Sequence, residues 1–181
     1  MSTNKQWQSV VFKNFQKAST TYNNGAYIQR EFALILAKKC KDYSIPNGVW
    51  IDLGSGTGLL ADALEIYHPK QKVVRVDISP NMLSQHPPDS LTTAWDLNLG
   101  LPKLPVQPTL LASSFCLHWL SNPSLRLKEW FDSLESGGYL AVAVPIRGSF
   151  PEWKIAAYKA RVNFTALTLP TERSIVEILE S

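Results

Sequence analysis

The sequence is poor in the residues that build disulfide and metal frameworks. Its 181 residues include two cysteines, Cys40 and Cys116, and three histidines. The cysteines form no CxxC pair, and no histidine stands near either of them at the spacing of a metal site. The pattern therefore predicts neither a disulfide framework nor a bound metal. Low cysteine content is typical of a reducing compartment, and we expect a cytoplasmic protein.

Charge is sparse, and long apolar runs are missing. Charged residues make up 18% of the chain and the net charge is +3, without the basic excess typical of a nucleic-acid binder. No run approaches the ~20 apolar residues of a membrane span, and the amino terminus lacks the apolar core of a signal peptide. We expect no nucleic-acid partner and no membrane partner. The composition is that of one globular domain without repeats.

Apolar segments alternate with helical patterns along most of the chain. The predicted strands cover residues 49–53, 72–78, 91–95, 110–115 and 139–144. Helices are predicted over residues 59–67, from Ser79-Pro80, from Ser121 or Asn122 to 134, over 153–164, and from an N-cap at Thr171. This alternation predicts an α/β fold, a Rossmann-like doubly wound parallel sheet whose strands are covered on both faces.

Two amphipathic helices are predicted before the first strand. One covers residues 8–21, and "NNG" at 23–25 is expected to break it. In the second helix the basic side chains are expected to face outward. Its expected inward-facing residues are Ile28, Phe32, Ile35, Leu36 and Cys40.

The stretch "VWIDLGSGTGLLADAL" leads from a strand through three glycines into a helix. Gly54 and Gly56 allow backbone conformations closed to other residues and leave no side chain in the way. The spacing is GxGxG with no following Lys-Ser/Thr pair, which excludes a triphosphate loop. Two interpretations remain, a tight strand-to-helix turn and a backbone cradle for a cofactor.

Carboxylates follow three of the predicted strands. Asp52 ends the first strand, Asp77 ends the second, and Asp96 follows the third. Because the carboxyl ends of parallel strands share one edge of the sheet, these acids are expected on one rim. There Asp77 could hold the two hydroxyls of a ribose and Asp96 could accept from an adenine amino group. A solvated strand end is the alternative for Asp77 and Asp96, and Asp52 could merely orient the loop.

These motifs together resemble the class I S-adenosylmethionine-dependent methyltransferases. The matching pieces are Asp52-Leu-Gly-Ser-Gly-Thr-Gly, Asp77-Ile-Ser-Pro-Asn-Met-Leu, Trp95-Asp96 and the Gly137-Gly138 turn. The resemblance implies S-adenosylmethionine as cofactor and S-adenosylhomocysteine as product, and it adds Met82 beside the adenine, where core packing is the alternative. The cofactor-binding residues it implies are Asp52, Gly54, Ser55, Gly56, Asp77, Ile78, Met82, Asp96 and Ser114.

Two further stretches resemble the malonyl-(acyl-carrier-protein) O-methyltransferases of biotin synthesis. They are "FKNFQKASTTYNNGAYIQRE" near the amino terminus and "SSFCLHWLSNP" after the fourth strand. The sequence departs from the usual pattern at Asn23, where the family has Asp, at Ser55, where it has Cys, and at His118, where it has Gln. The region around Trp119 also resembles the corresponding region of the trans-aconitate methyltransferases. The implied substrate is an acyl group on acyl carrier protein, with a free small acid as the alternative.

The chemistry favours a carboxyl acceptor independently of the family. A carboxylate has a pKa of about 4, so it is ionised at neutral pH and needs no general base, whereas an amine or hydroxyl usually does. No base is evident in the sequence, and His118 in "CLHWL" reads more like core than catalysis. Arg147, just past the fifth strand, is the candidate to bind the acceptor carboxylate, and a solvated loop arginine is the alternative. Tyr22 is the candidate to close over the cofactor, and an aromatic residue at a helix end that packs on the core is the alternative.

The resemblance also implies a division of the chain. Residues 1–44 would form a helical lid, 45–146 the cofactor-binding unit, and 147–181 the first helices of the substrate side. Folds of this family have seven strands, and only five are predicted here. We therefore expect either a truncated chain or a partner that covers the fifth strand. A non-catalytic cofactor-binding protein is a further alternative. A basic face that could dock an acidic carrier protein is a further hypothesis, and a charged helix face that is merely solvated is the alternative. The residues that could supply it are Arg30, Lys38, Lys39, Lys154, Lys159 and Arg161.

Overall fold

Five parallel strands form the centre of the protein. The computed structural model describes residues 2–163 and 168–180, with side chains from Ser9 onward. The strands are β1 (Trp50–Leu53), β2 (Val73–Asp77), β3 (Thr92–Ala94), β4 (Leu110–Ser114) and β5 (Tyr139–Ala143). Their order is β3-β2-β1-β4-β5, and every pairing is parallel. The predicted α/β fold is confirmed, with a topological switch point between β1 and β4.

Eight α-helices surround the sheet in the described part of the chain. They are α1 (Ser2–Ala18), α2 (Tyr22–Gly25), α3 (Tyr27–Lys41), α4 (Leu59–Tyr67), α5 (Pro80–Leu83), α6 (Pro123–Asp132), α7 (Pro151–Lys159) and α8 (Glu172–Glu180). The helix predicted over 153–164 is α7, and Phe164 lies outside the described residues. Among the helices described, none combines the length and the apolar character needed to cross a membrane.

Helices cover both faces of the sheet. Alternate residues of a strand point to opposite faces, so Trp50 packs with Ala37 and Leu64 on one side while Ile51 packs with Leu127 and Trp130 on the other. All four residues of β1 are buried, as predicted for a central strand. The prediction is wrong for β3, an edge strand whose first and last residues are exposed.

Helix α3 turns a different face inward from the one predicted. Ala33, Ala37 and Cys40 are buried at 5% exposure or less, whereas Ile28, Phe32 and Ile35 are 45–49% exposed. Small side chains let α3 approach α4 and the sheet closely, so the alanines take the core positions and the larger residues are displaced outward. The prediction was correct for Cys40 and for Leu36, which packs against the core.

The break predicted at 23–25 lies elsewhere. Residues Tyr22–Gly25 form one helical turn, and the chain bends at the buried Ala26, with φ −85° and ψ 44°. The side chain of Asn23 accepts a hydrogen bond from Thr57 Oγ1 at 2.7 Å, and its carbonyl accepts from Arg30 Nη2 at 3.3 Å. These tertiary contacts hold a helical turn that the local sequence alone does not favour.

The predicted helix caps are confirmed. Ser79 Oγ accepts from Met82 N at 3.2 Å, and Thr171 Oγ1 accepts from Ser174 N at 3.1 Å. Of the two candidates before α6, Asn122 is the cap, since its Oδ1 accepts from Leu125 N at 3.1 Å. A side-chain oxygen at this position satisfies a backbone donor that has no partner within the helix.

The fifth strand is covered on its faces more fully than at its edge. Its residues are all partly buried, and Ile175, Ile178 and Leu179 of α8 pack against the apolar cluster that includes Leu140. Within the described residues β5 pairs with β4 alone, so its outer row of backbone groups meets no second strand there.

Candidate active site

A cavity of about 430 Å³ lies where the carboxyl ends of the strands meet. Its wall combines the glycine turn after β1, acids from three strand ends, and apolar residues of the amino-terminal helices. The structure therefore brings nearly all the predicted site residues together. Those that line the cavity are Tyr22, Asp52, Gly54, Ser55, Gly56, Asp77, Ile78, Met82, Asp96 and Ser114.

The glycine turn is tied to β2 by its backbone. The amides of Gly54 and Ser55 both donate to the carbonyl of Val76, at 2.8 and 2.9 Å. Gly54 has a φ of +75°, and a Cβ there would overlap the side chain of Cys116. At Gly58, with φ +99°, a Cβ would lie 2.9 Å from Arg75 Nη1. Both positions require glycine for the fold itself.

Gly56 differs from these two glycines. Its φ is +53°, yet a Cβ built on it meets no atom of the described residues within 4 Å. The bare backbone therefore faces the open cavity instead of a packed neighbour. This is the arrangement expected of a main chain shaped to lie against a ligand, so this part of the wall fits a bound nucleoside cofactor.

Asp77 holds two backbone donors. Its Oδ2 accepts from Gly56 N and its Oδ1 from Ser79 N, each at 2.8 Å. Burial raises the pKa of this carboxyl, and the two backbone amides act against that rise. Each oxygen keeps a second lone pair, so the carboxylate can orient the turn and still accept from a ligand hydroxyl.

Asp52 is buried behind the turn, at 1% exposure. Its Oδ2 accepts from Ala61 N at 3.1 Å, near the start of α4, whereas its Oδ1 has no hydrogen-bond partner among the described residues. Burial raises the pKa of this carboxyl to about 7. An unpaired buried carboxylate oxygen in the cavity wall fits a cationic group of a ligand.

The raised pKa of Asp52 predicts a stability that falls as pH rises. The native state binds the proton of Asp52 more tightly than the unfolded chain does. The stabilisation that this proton gives is complete at pH values below the pKa of Asp52 in the unfolded chain, and it is lost as pH rises past the native pKa of about 7. Asp52→Asn removes this loss, and at pH 8 it should raise the free energy of unfolding by roughly 2–4 kcal/mol. Urea titrations of both proteins from pH 4 to 8 measure the difference, and parallel curves would contradict the assignment.

The other predicted side chains around the cavity are held by local contacts. Asp96 Oδ1 accepts from the backbone N and the Nδ2 of Asn98, both at 2.9 Å. Met82 is 1% exposed and also lines the cavity, so its side chain belongs to the hydrophobic core and forms part of the cavity wall. Ser114 Oγ is buried without a hydrogen-bond partner among the described residues and is available to a ligand.

The amino-terminal helices close one side of the cavity with aromatic rings. Phe15 lies between Tyr22 and Trp119, with ring centroids 6.1 and 5.7 Å away. Burial, and then the charge of Asp77, raises the pKa of Tyr22, so its hydroxyl stays protonated. The hydrogen bond from Thr57 to Asn23 ties these helices to the glycine turn. Asn23 therefore contacts the turn at a position where the sequence departs from the family pattern.

Arg147 is not brought to the cavity. Its side chain is exposed, its backbone N donates to Pro170 O at 2.7 Å, and it is absent from the described lining. His118 is also outside that lining. Burial lowers the pKa of His118 to about 4, and its ring lies 4.8 Å from Trp119, which favours the packing interpretation over a catalytic base.

Sequence reasoning missed the support beneath the turn. His86 contacts the carbonyl of Gly56, and Arg75 contacts His86 from β2. No motif marks these two residues, since they meet only after the sheet has formed. The contact of Asn23 with Thr57 had a signal, because the departure of Asn23 from the family pattern singled out this position.

Comparisons with known proteins agree with this geometry. A family model described as a methyltransferase domain matches residues 20–181. The chain belongs to this family. The predicted likeness to S-adenosylmethionine-dependent methyltransferases is thereby confirmed at the level of the family.

Curated relatives share part of their length with this methyltransferase-domain chain. The malonyl-[acyl-carrier protein] O-methyltransferase of Dechloromonas aromatica is 31% identical over 133 residues, covering 74% of this chain and 49% of that protein. The biotin biosynthesis bifunctional protein BioCD of Bordetella avium is 31% identical over 156 residues, covering 79% and 32%. The chain thus spans about half the length of the first relative and about a third of the length of the second.

Solved structures confirm the fold of this methyltransferase-domain chain. Magnesium protoporphyrin IX methyltransferase from Synechocystis PCC 6803, solved with bound SAH, aligns with a TM-score of 0.72 at 14% identity, covering 96% of this chain and 87% of that one. A possible histamine N-methyltransferase from Thermotoga maritima aligns with a TM-score of 0.64 at 19% identity, covering 93% and 78%. At these identities the likeness concerns the fold alone.

Proposed function

We propose that the protein transfers a methyl group from S-adenosylmethionine, leaving S-adenosylhomocysteine. The observation that carries this proposal is the glycine turn, where the bare Gly56 faces an open cavity beside the carboxylate of Asp77. The family match over residues 20–181 supports it. The bound sulfonium would supply an activated methyl group, so the protein's task is to align the acceptor with it.

The residues of the cavity divide among the parts of this cofactor. Asp77 would accept from the ribose hydroxyls, and the unpaired Asp52 Oδ1 would face the ammonium group. Met82 and Asp96 would border the adenine. In this proposal residues 1–44 form the lid, 45–146 the cofactor-binding unit and 147–181 the start of the substrate side.

The proposed acceptor is the free carboxyl of a malonyl thioester on acyl carrier protein. In this step the bond from the methyl carbon to sulfur breaks while a bond to a carboxylate oxygen forms, with no proton to remove. The described lining contains no histidine, lysine or arginine, and the raised pKa of Tyr22 makes it a poor base. An acceptor that is already ionised suits such a site, and the Dechloromonas aromatica relative, which is named for this substrate, supports it.

The test is an assay with a labelled methyl donor against malonyl carrier protein, a free malonyl thioester and free small acids such as trans-aconitate. Label on the carrier-bound carboxyl supports the proposal. Label on a free acid alone would favour the second candidate. A folded protein that binds the cofactor and methylates none of them would favour a non-catalytic role.

An acidic carrier protein needs a basic face near the substrate side. Helix α7 has no buried residue, and Lys154 and Lys159 are exposed on it, as the other predicted docking cations are on their own segments. Reversal of both charges, Lys154→Glu with Lys159→Glu, should lower kcat/KM for malonyl carrier protein about tenfold, since charge complementarity mainly sets association. The free thioester should be unaffected.

Lys70 provides the matched control, because it is exposed near the opposite end of the sheet, before β2. Lys70→Glu should leave kcat/KM for the carrier protein unchanged. Equal losses in the control and the α7 variant, or equal losses with carrier-bound and free thioester, would contradict docking on α7.

A further inference from the structure

His86 lies buried beneath the glycine turn, at 8% exposure. Its Nε2 is 2.8 Å from the carbonyl oxygen of Gly56, and its Nδ1 is 2.9 Å from Nη1 of Arg75. A carbonyl can only accept a hydrogen bond and a guanidinium can only donate one. The ring must therefore donate at Nε2 and accept at Nδ1, which only the neutral Nε2–H tautomer can do.

We propose that His86 is a positioning residue for cofactor binding, whose neutral Nε2–H tautomer holds the Gly56 carbonyl and keeps the turn in its binding geometry. Both backbone groups of Gly56 are hydrogen-bonded, because its carbonyl accepts from His86 and its N–H donates to Asp77 Oδ2 at 2.8 Å. Within the described residues, a Cβ at this glycine would meet no neighbour within 4 Å. The two hydrogen bonds hold its left-handed conformation together with the turn that Gly58 N closes by donating to Ser55 O at 2.8 Å.

Charged groups on two elements set the state of His86. Arg75 of β2 is 1% exposed and is bound by Asp62 Oδ1 at 2.7 Å and by Glu65 Oε2 at 3.1 Å, both from α4. These carboxylates fix the guanidinium so that one N–H points at the histidine ring. The charge of Asp77, at the end of β2, acts on the ring as well and raises the pKa of His86, against the larger effect of burial.

Protonation of His86 would place an N–H of the ring against an N–H of Arg75. Burial lowers the pKa of His86, so the ring is neutral at pH 7 and gains a proton only below the usual range for histidine. The contribution of His86 to cofactor affinity should therefore be complete at neutral pH and be lost as His86 becomes protonated. The inference rests on the cofactor site proposed above and is independent of the methyl acceptor.

The first test needs no cofactor. The chain has three histidines, so long-range ¹H–¹⁵N NMR spectra of the wild type can be assigned with His86→Gln and His68→Gln. At pH 7.5 the His86 signal should show a protonated Nε2 and an unprotonated Nδ1. The opposite tautomer, or an imidazolium, would overturn the proposal.

The second test is calorimetric titration with S-adenosylhomocysteine from pH 5 to 8. Glutamine carries a donor and an acceptor but does not titrate, so His86→Gln should bind within about threefold of wild type at pH 8, while His86→Leu should bind about tenfold more weakly. The decline at low pH should be smaller in His86→Gln than in wild type. Asp52 and Asp77 titrate in both proteins, so the difference reports on His86.

His68→Gln is the matched control and should keep the wild-type pH profile, since His68 packs on Trp50 away from the turn. A His86→Gln profile identical to that of wild type would overturn the proposal, as would unchanged affinity in a folded His86→Leu. Absence of binding by the wild type would instead overturn the cofactor site, and the NMR result would still decide the tautomer.

Discussion

Asp77→Ala is expected to weaken the binding of S-adenosylhomocysteine by about 100-fold, since hydrogen bonds to a charged group contribute roughly 1.5–3 kcal/mol each. The carboxylate holds Gly56 N and Ser79 N and, in the proposed complex, the ribose hydroxyls as well. Its removal takes away both the ligand contacts and the brace of the turn. Calorimetric titration at pH 7.5 measures the loss.

Asp89→Ala is the control for this result. Asp89 is exposed, and within the described residues its side chain pairs with Lys72 at 2.9 Å, with side-chain exposures of 73% for Asp89 and 58% for Lys72. Such a surface pair contributes little, so affinity should be unchanged in this variant. Wild-type affinity in Asp77→Ala, with the control also normal, would remove Asp77 from the site.

Gly54→Ala is expected to lower the free energy of unfolding by about 3–5 kcal/mol, the range of severe core overpacking added to backbone strain. Its φ is +75° and the new Cβ would overlap Cys116, which lies against the turn. The methyl group therefore meets both a disfavoured conformation and an occupied space. Urea unfolding of the variant and the wild type measures the difference.

Gly137→Ala separates the two causes. Gly137 has a similar φ of +81°, but a Cβ there has no neighbour within 4 Å. This variant should lose only the strain of the left-handed conformation, about 1–2 kcal/mol. Equal losses at the two positions would show that contact with Cys116 is not what demands glycine at 54.

The succession of strands and helices along the chain and the glycine turn were predictable from sequence because their signals are local. A buried strand that ends in Asp52 and continues into glycines fits few local structures other than a strand, a tight turn and a helix. The observed bounds of β1 and α4 lie within one residue of the predicted ones. Parallel strands bring their carboxyl ends to one edge, so Asp52, Asp77 and Asp96 met in one cavity as expected.

The predictions that were wrong, and the contacts that were missed, concerned features that depend on tertiary contacts. The apolar residues Ile28, Phe32 and Ile35 share a helix face, but the close approach of α3 through its alanines put that face outside the core. The contact between His86 and the carbonyl of Gly56 joins residues 30 positions apart, and the periodicity of the sequence does not predict such a contact. Arg147 follows β5 as predicted, yet the loop that carries it leaves the side chain exposed.

The central claim is that the cavity over the glycine turn binds the methyl donor. Calorimetric titration of the unaltered protein with S-adenosylhomocysteine tests it most directly. The account predicts saturable binding of one molecule per chain, lost on Asp77→Ala. A sample shown to be folded by circular dichroism that releases or absorbs no heat with either S-adenosylhomocysteine or S-adenosylmethionine would contradict it.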